Sequence, residues 1–227
     1  LKALGLDAKV WISTLVLAAV LGLILFVPAG TVNYWQAWVY LCIYFGASIG
    51  IILYLMKSDP DLLARRMSGG PTAEKEGSQR IIMTILSCAF VAMLAVPALD
   101  RRYGWTNVPV SVVIAGDVFT ALWFYLTYLV FRENTFTASV VQVTQNQSVI
   151  STGPYAYVRH PMYAAGLLFF IATPLALGSY WGLVVFVAAL PALIWRLLDE
   201  ERLLAKNLPG YRDYCAKVRW RLIPGVF

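Results

Sequence analysis

Six stretches of this chain are apolar for long enough to cross a bilayer, and that removes most folds from consideration. They cover residues 10–27, 35–56, 81–99, 108–131, 161–177 and 181–198, each close to the ~20 residues a helix needs to traverse a hydrocarbon core about 30 Å thick. A backbone crossing lipid has to satisfy its N–H and C=O groups internally, so runs of this length are helices and not open strands. Composition agrees. Of 227 residues, 60% are hydrophobic and 13% charged, about half the charged share of a soluble domain. The expected fold class is all-α: a polytopic integral membrane helical bundle with six spans. Five spans are the alternative, because Pro174 and Pro191 interrupt the last two runs and only the tight turn Gly178-Ser179-Tyr180 separates them. Those two runs read as a helical hairpin.

The basic residues set the expected orientation. With six spans and the amino terminus inside, all of the 18 Lys and Arg except Arg101 and Arg102 fall on the inner side. The positive-inside rule then places both termini and the segment around Arg159 at the cytoplasm. The net charge of +6 thereby reports topology and contact with anionic headgroups, with no need of nucleic acid. The first apolar run lacks a small-x-small cleavage pattern near Pro28-Ala29-Gly30 and is followed at once by another span, so it reads as a retained anchor. Three cysteines, two of them inside spans, make no fully paired disulfide framework, and with a single histidine no metal site is expected.

Between the spans lie three polar segments. Residues 57–80 contain Asp59-Pro60-Asp61 and Gly69-Gly70-Pro71, with a short helix expected over 62–67. Residues 132–152 are too hydrophilic to cross and must lie at the surface or fold back. Residues 199–218 carry apolar positions at close to helical spacing, broken by Pro209-Gly210, and so form short amphipathic pieces against the cytoplasmic end. Asp117 sits inside the fourth span, where a carboxyl is either a functional group or the partner of a neighbouring helix.

One segment concentrates polar and aromatic groups beyond what a helix start requires. Gly153-Pro154-Tyr155-Ala156-Tyr157-Val158-Arg159-His160-Pro161-Met162-Tyr163 places the sole histidine between a Gly-Pro turn and an apolar run. Across the hairpin, Arg196 and Glu200 stand four apart and share one helix face. The two clusters flank the ends of the same hairpin and are expected to meet in space.

This Gly-Pro-Tyr-x-Tyr-x-Arg-His-Pro-x-Tyr run, followed by Arg196-x-x-x-Glu200-Glu201-x-x-Leu204, Gly210-Tyr211-x-x-Tyr214 and the closing Arg221-Leu222-Ile223-Pro224-Gly225, resembles the isoprenylcysteine carboxyl methyltransferase family over roughly residues 141–227. Looser counterparts of Arg-His-Pro occur in membrane phospholipid N-methyltransferases and sterol reductases. The resemblance divides the chain into four amino-terminal spans (1–135) and a methyltransferase core (136–227). It implies S-adenosylmethionine as cofactor and a lipophilic or prenylated acceptor. Cofactor contacts would come from Gln142, Gln147, Ser148, Val149, Ile150, Tyr155, His160, Pro161, Met162, Tyr163 and Glu200. Arg196 would face the substrate, and Glu201 or His160 would serve as base were the acceptor an amine.

Chemistry suits these residue types. Methyl transfer from a sulfonium needs donor and acceptor held at about 3–3.5 Å in line, and an arginine fork can orient a carboxylate that is already nucleophilic at neutral pH. Tyrosine faces can lie near a cationic sulfur. Two other classes stay open at this point: a nicotinamide-dependent reductase of the sterol-reductase type, against which the Glu200-Glu201 pair argues by charge, and a non-catalytic membrane scaffold.

Overall fold

The computed structural model describes residues 5–74, 76–137 and 147–227, and among these every regular element is helical. Eight α-helices follow in chain order: α1 (Leu6–Ala29), α2 (Trp35–Ser58), α3 (Pro60–Met67), α4 (Gly77–Tyr103), α5 (Val110–Glu133), α6 (Pro161–Ala176), α7 (Trp181–Asn207) and α8 (Tyr211–Lys217). Short 3₁₀ turns occupy Pro71–Ala73 and Gly153–Ala156. Five helices, α1, α2, α4, α5 and α7, are long and apolar enough to cross a membrane.

The six expected crossings therefore become five long helices and one short one. With 16 residues, α6 is about 24 Å long at 1.5 Å per residue. It still runs the length of the bundle. At its start, Met162 packs on the buried cluster of Leu55, Leu62 and Phe131, where α2 and α5 end. At its far end, the Tyr34 hydroxyl donates to the Leu177 carbonyl at 2.6 Å, and the Ser179 hydroxyl donates to Asp100 at 2.5 Å. Much of α6 is buried, including Ala165, Phe169, Ala172 and Thr173, so neighbouring helices and not lipid set the length it needs.

The prolines do not interrupt the hairpin as expected. Pro174 and Pro191 lie inside continuous helices, as do Pro28 and Pro97, because packing in a bundle re-satisfies the backbone a proline frees. Close approach is built from glycine. A Cβ on Gly116 would stand 2.3 Å from the Ala176 nitrogen, and one on Gly182 would stand 2.3 Å from the Pro174 Cβ, so only glycine permits these α5–α6 and α6–α7 crossings. The first amphipathic piece of the tail is likewise not separate: α7 continues unbroken to Asn207, and the break falls at Leu208-Pro209-Gly210 before α8.

Charge divides between the two ends. Arg101 and Arg102 sit at the end of α4 beside Asn33 and Gly30, among Trp35, Trp105 and Trp181 with exposed rings. The other described basic residues gather at the opposite end, around α3, the start of α6 and the tail. The helix faces between are apolar and open, Leu15 being 70% exposed, as a lipid-facing surface requires.

Candidate active site

The basic end is assembled by the carboxy-terminal tail folding back on the Arg-His-Pro segment. Gly153 takes a left-handed turn (φ 56°) close against Glu133, and the Thr152 hydroxyl donates to the Glu133 carboxylate. The 3₁₀ turn that follows carries Tyr155 inward, where its hydroxyl accepts a hydrogen bond from Asn134 Nδ2 at 2.8 Å. His160 is the residue before α6, with Pro161 in the first turn, where its missing N–H costs nothing. Backbone bonds then stitch this segment to the tail: the Arg159 amide donates to the Trp220 carbonyl at 2.9 Å and the His160 amide to the Arg221 carbonyl at 3.0 Å. From α8, the Tyr214 hydroxyl donates to the Tyr155 carbonyl at 2.7 Å.

Glu201 is the hub of this seam. Its Oε1 lies 3.1 Å from Arg159 Nε and 3.3 Å from His160 Nε2, and its Oε2 accepts from Arg221 Nε at 2.8 Å. A carboxylate engaged by three basic groups holds the tail to the motif. It does not line the cavity described next.

That cavity has a volume of about 610 Å³, within the range of small-molecule sites. On its wall the structure brings together Gln147, Ser148, Val149, Ile150, Tyr155, His160, Pro161, Met162, Tyr163, Arg196 and Glu200. Gln142 lies outside the described residues. Tyr163 donates to Glu200 Oε2 at 2.6 Å, and its ring meets His160 edge-on with centroids 5.6 Å apart. The phenols from outside the spans, Tyr155, Tyr211 and Tyr214, are all raised above their ordinary value by burial, so they act as neutral groups. The Tyr211 hydroxyl is buried with no hydrogen-bond partner among the described residues, although the side chain lines the cavity.

Several residues here escaped the sequence reading. Arg196 donates from Nη2 to Glu74 Oε1 at 2.8 Å and from Nη1 to Gln79 Oε1 at 2.9 Å, both partners being buried products of the 57–80 segment and the start of α4. Gln79 in turn donates to Asp199 at 3.1 Å. Arg66, Gly69 and Gly70 of the same segment line the cavity, with Met83 and Leu86 of α4 and Leu193 of α7. The paired arginines Arg65-Arg66 beside Gly69-Gly70 were the available signal; as a polar linker with no periodicity they read as a surface excursion.

Arg-His-Pro at the start of an inner helix, with a glutamate one turn past an arginine facing it across a cavity, directs attention to membrane methyltransferases. Residues 111–209 match the phospholipid methyltransferase family model. No curated protein matches the chain. The phospholipid methyltransferase match runs from the start of α5 to the break after α7, so it contains the 153–163 motif and the Arg196/Glu200 pair, and leaves α1 to α4 and α8 outside. This stretch, less than half of the chain, is similar to phospholipid methyltransferases. The match speaks to the class of reaction and to a lipid-like acceptor; it carries nothing on a prenylated cysteine.

Proposed function

We propose that the chain is an S-adenosylmethionine-dependent methyltransferase that modifies a lipophilic acceptor at the basic, cytoplasm-facing end of the bundle. The observation that carries this reading is the convergence of 147–150, 155, 160–163, 196 and 200 on one cavity, from segments with no local reason to meet. The residues present fit the cofactor. Glu200, held by Tyr163, offers a carboxylate for a cationic ligand; Tyr155, Tyr211 and Tyr214 offer aromatic faces; and the Tyr211 hydroxyl, with no hydrogen-bond partner among the described residues, offers a buried polar group. When bound, the cofactor supplies a methyl group on a cationic sulfur with a neutral leaving group.

What the protein must then do is bind, orient and exclude water. Arg196 is pre-set by Glu74 and Gln79, so its guanidinium plane is fixed before any acceptor arrives. In the reading we favour, the acceptor is an apolar carboxylate of the isoprenylcysteine type, which Arg196 would orient toward the methyl group the cofactor supplies and from which no residue need take a proton. The second reading is a phospholipid amine, favoured by the family match. An amine must lose its proton before attack, and Glu200 or His160 stands on the cavity wall to receive it, whereas Glu201 serves the tail.

Lipid extract incubated with purified protein and deuterated-methyl cofactor is expected to yield a mass-labelled lipid, whose mass identifies the acceptor. An amine acceptor gives a rate rising with pH through the amine's titration, and a carboxylate acceptor gives none. S-adenosylhomocysteine is expected to raise the melting temperature where NADPH does not; the reverse result would point to a reductase and end the proposal. Arg196→Lys, which keeps a charge beside Glu74 but loses the fork, is expected to cut turnover about 10–100-fold, the worth of a charge-assisted hydrogen bond, with S-adenosylhomocysteine affinity unchanged.

A further inference from the structure

After α8 the chain folds into a tight turn that leaves most of its apolar side chains outside. Arg221, Leu222 and Ile223 all donate their amides to the Phe227 carbonyl, at 2.9, 2.8 and 3.2 Å, and the Val226 amide returns to the Ile223 carbonyl at 3.1 Å. The Arg221 guanidinium lies over the Phe227 ring, 5.1 Å from its centroid. One side chain turns inward, the buried Leu222, while Trp220, Ile223, Val226 and Phe227 are exposed, Val226 at 74%. Backbone bonds thus hold the turn in shape and present four apolar groups as a knob.

The seam to the Arg-His-Pro segment fixes where this knob stands. The Trp220 and Arg221 carbonyls accept from the Arg159 and His160 amides, immediately before α6, and α6 starts where α2 and α5 end, with Met162 on Leu55 and Phe131. The knob is therefore level with the edge of the apolar bundle. Tyr157, two residues before the seam, is also exposed. Beyond Glu201 the chain carries six basic residues, Arg202, Lys206, Arg212, Lys217, Arg219 and Arg221, against Asp213 alone. Lys217 and Arg219 flank the knob, are exposed, and make no ion pair among the described residues. Exposed Trp and Tyr with Lys and Arg at the edge of a span is the makeup of an interfacial anchor, and clustered cations beside a bilayer favour anionic headgroups. An acidic soluble protein would match the charge, but the bundle already holds this surface beside lipid at high effective concentration.

We infer that the knob of Trp220, Ile223, Val226 and Phe227, with Lys217 and Arg219 beside it, docks on the anionic headgroup layer at the basic end of the bundle, and that this docking braces the Arg159-His160 wall of the cavity. Both of those residues line the cavity, and their amides are closed by the same segment whose side chains meet the lipid. Opening the tail frees both amides and takes Arg221 away from Glu201. A surface that binds only the closed tail therefore stabilises that wall. Lipid charge acts on the cavity in this way whatever ligand the cavity takes, so the docking surface and the methyltransferase reading stand or fall separately.

Amide hydrogen exchange on the full chain tests this, in nanodiscs that each hold one copy, made from phosphatidylcholine alone or from equal parts phosphatidylcholine and phosphatidylglycerol. Exchange at Arg159, His160 and 221–223 requires the tail to open. Each basic residue near an anionic surface contributes about fivefold, so the anionic discs are expected to slow those amides about 10-fold or more. Salt at about 1 M shortens the screening length to about 3 Å and is expected to remove most of the gain. Gly30 and Gly104, whose amides close on the Phe26 and Asp100 carbonyls at the other end of the bundle, are expected to keep their rates. Lys217→Gln combined with Arg219→Gln is expected to bring the gain down to about twofold or less. Trp220→Ser, which keeps the backbone seam and both charges, is expected to reduce it severalfold. Docking is overturned by equal rates in the two lipids, by a gain that survives the loss of both charges, or by a gain shared with Gly30 and Gly104, which would mark a general stabilisation of the bundle. Slowing at 221–223 without slowing at Arg159 and His160 would overturn the brace, and a gain untouched by Trp220→Ser would overturn the part given to the apolar knob. One copy per disc excludes a second chain as the source of protection.

Discussion

Asp117 shows how a single side chain separates expectation from structure. A carboxyl inside a span is expected to have a role or a partner, and here it is buried on α5 at 7% exposure with Oδ1 lacking any hydrogen-bond partner among the described residues. It follows Gly116, which packs on Ala176 at the end of α6 away from the cavity. An unsatisfied buried polar group costs about 1–3 kcal/mol. Asp117→Ala is therefore expected to raise the melting temperature and leave methyl transfer unchanged; a fall in turnover at unaltered stability would give Asp117 a role in the reaction. Glu201 teaches the converse. Its identity next to Glu200 made it a candidate base, yet the direction of its side chain commits it to Arg159, His160 and Arg221. Adjacent residues on a helix point about 100° apart, so two glutamates in sequence serve two different places.

At the scale of elements, the 57–80 linker matters most. Glu74 is buried, its side chain 1% exposed, against Arg196, and Arg80 Nε donates to the Glu74 carbonyl at 2.8 Å, so the linker is clamped to α4 and α7 together. Removing one partner of a buried pair strands the other charge, typically at 3–5 kcal/mol. Glu74→Ala is expected to destabilise on that scale and to lower turnover by freeing Arg196. Glu74→Gln retains the hydrogen bond but not the counter-charge and should restore only part of the stability; circular-dichroism melts beside turnover measurements separate the two effects. None of this was legible from sequence. A linker without apolar periodicity gives no sign of which of its charges turns inward, and the partner of Glu74 lies 122 positions away.

For the whole molecule, the α5–α6 crossing ties the membrane bundle to the cavity. Because a Cβ at Gly116 would collide with the Ala176 backbone, Gly116→Val is expected to force the helices apart, displace the start of α6 and reduce S-adenosylhomocysteine binding, as read by its thermal stabilisation. Arg66, Gly69, Gly70, Met83 and Leu86, amino-terminal to the expected division at 135/136, stand on the cavity wall with the carboxy-terminal residues. What the amino-acid sequence determined by itself was the helical class, the length and number of the apolar runs, the hairpin, the segregation of basic residues and the motif that marks the reaction. Lipid imposes those through run length and charge, which are properties of contiguous residues. Tertiary structure alone decided that α6 could be short, that four prolines could sit within helices, that Glu201 binds the tail while Glu200 faces the cavity, and that a polar linker supplies Arg66 and the clamp on Arg196. Each of these depends on which distant backbone comes within a few ångströms, and close packing sets that only when the whole bundle has formed.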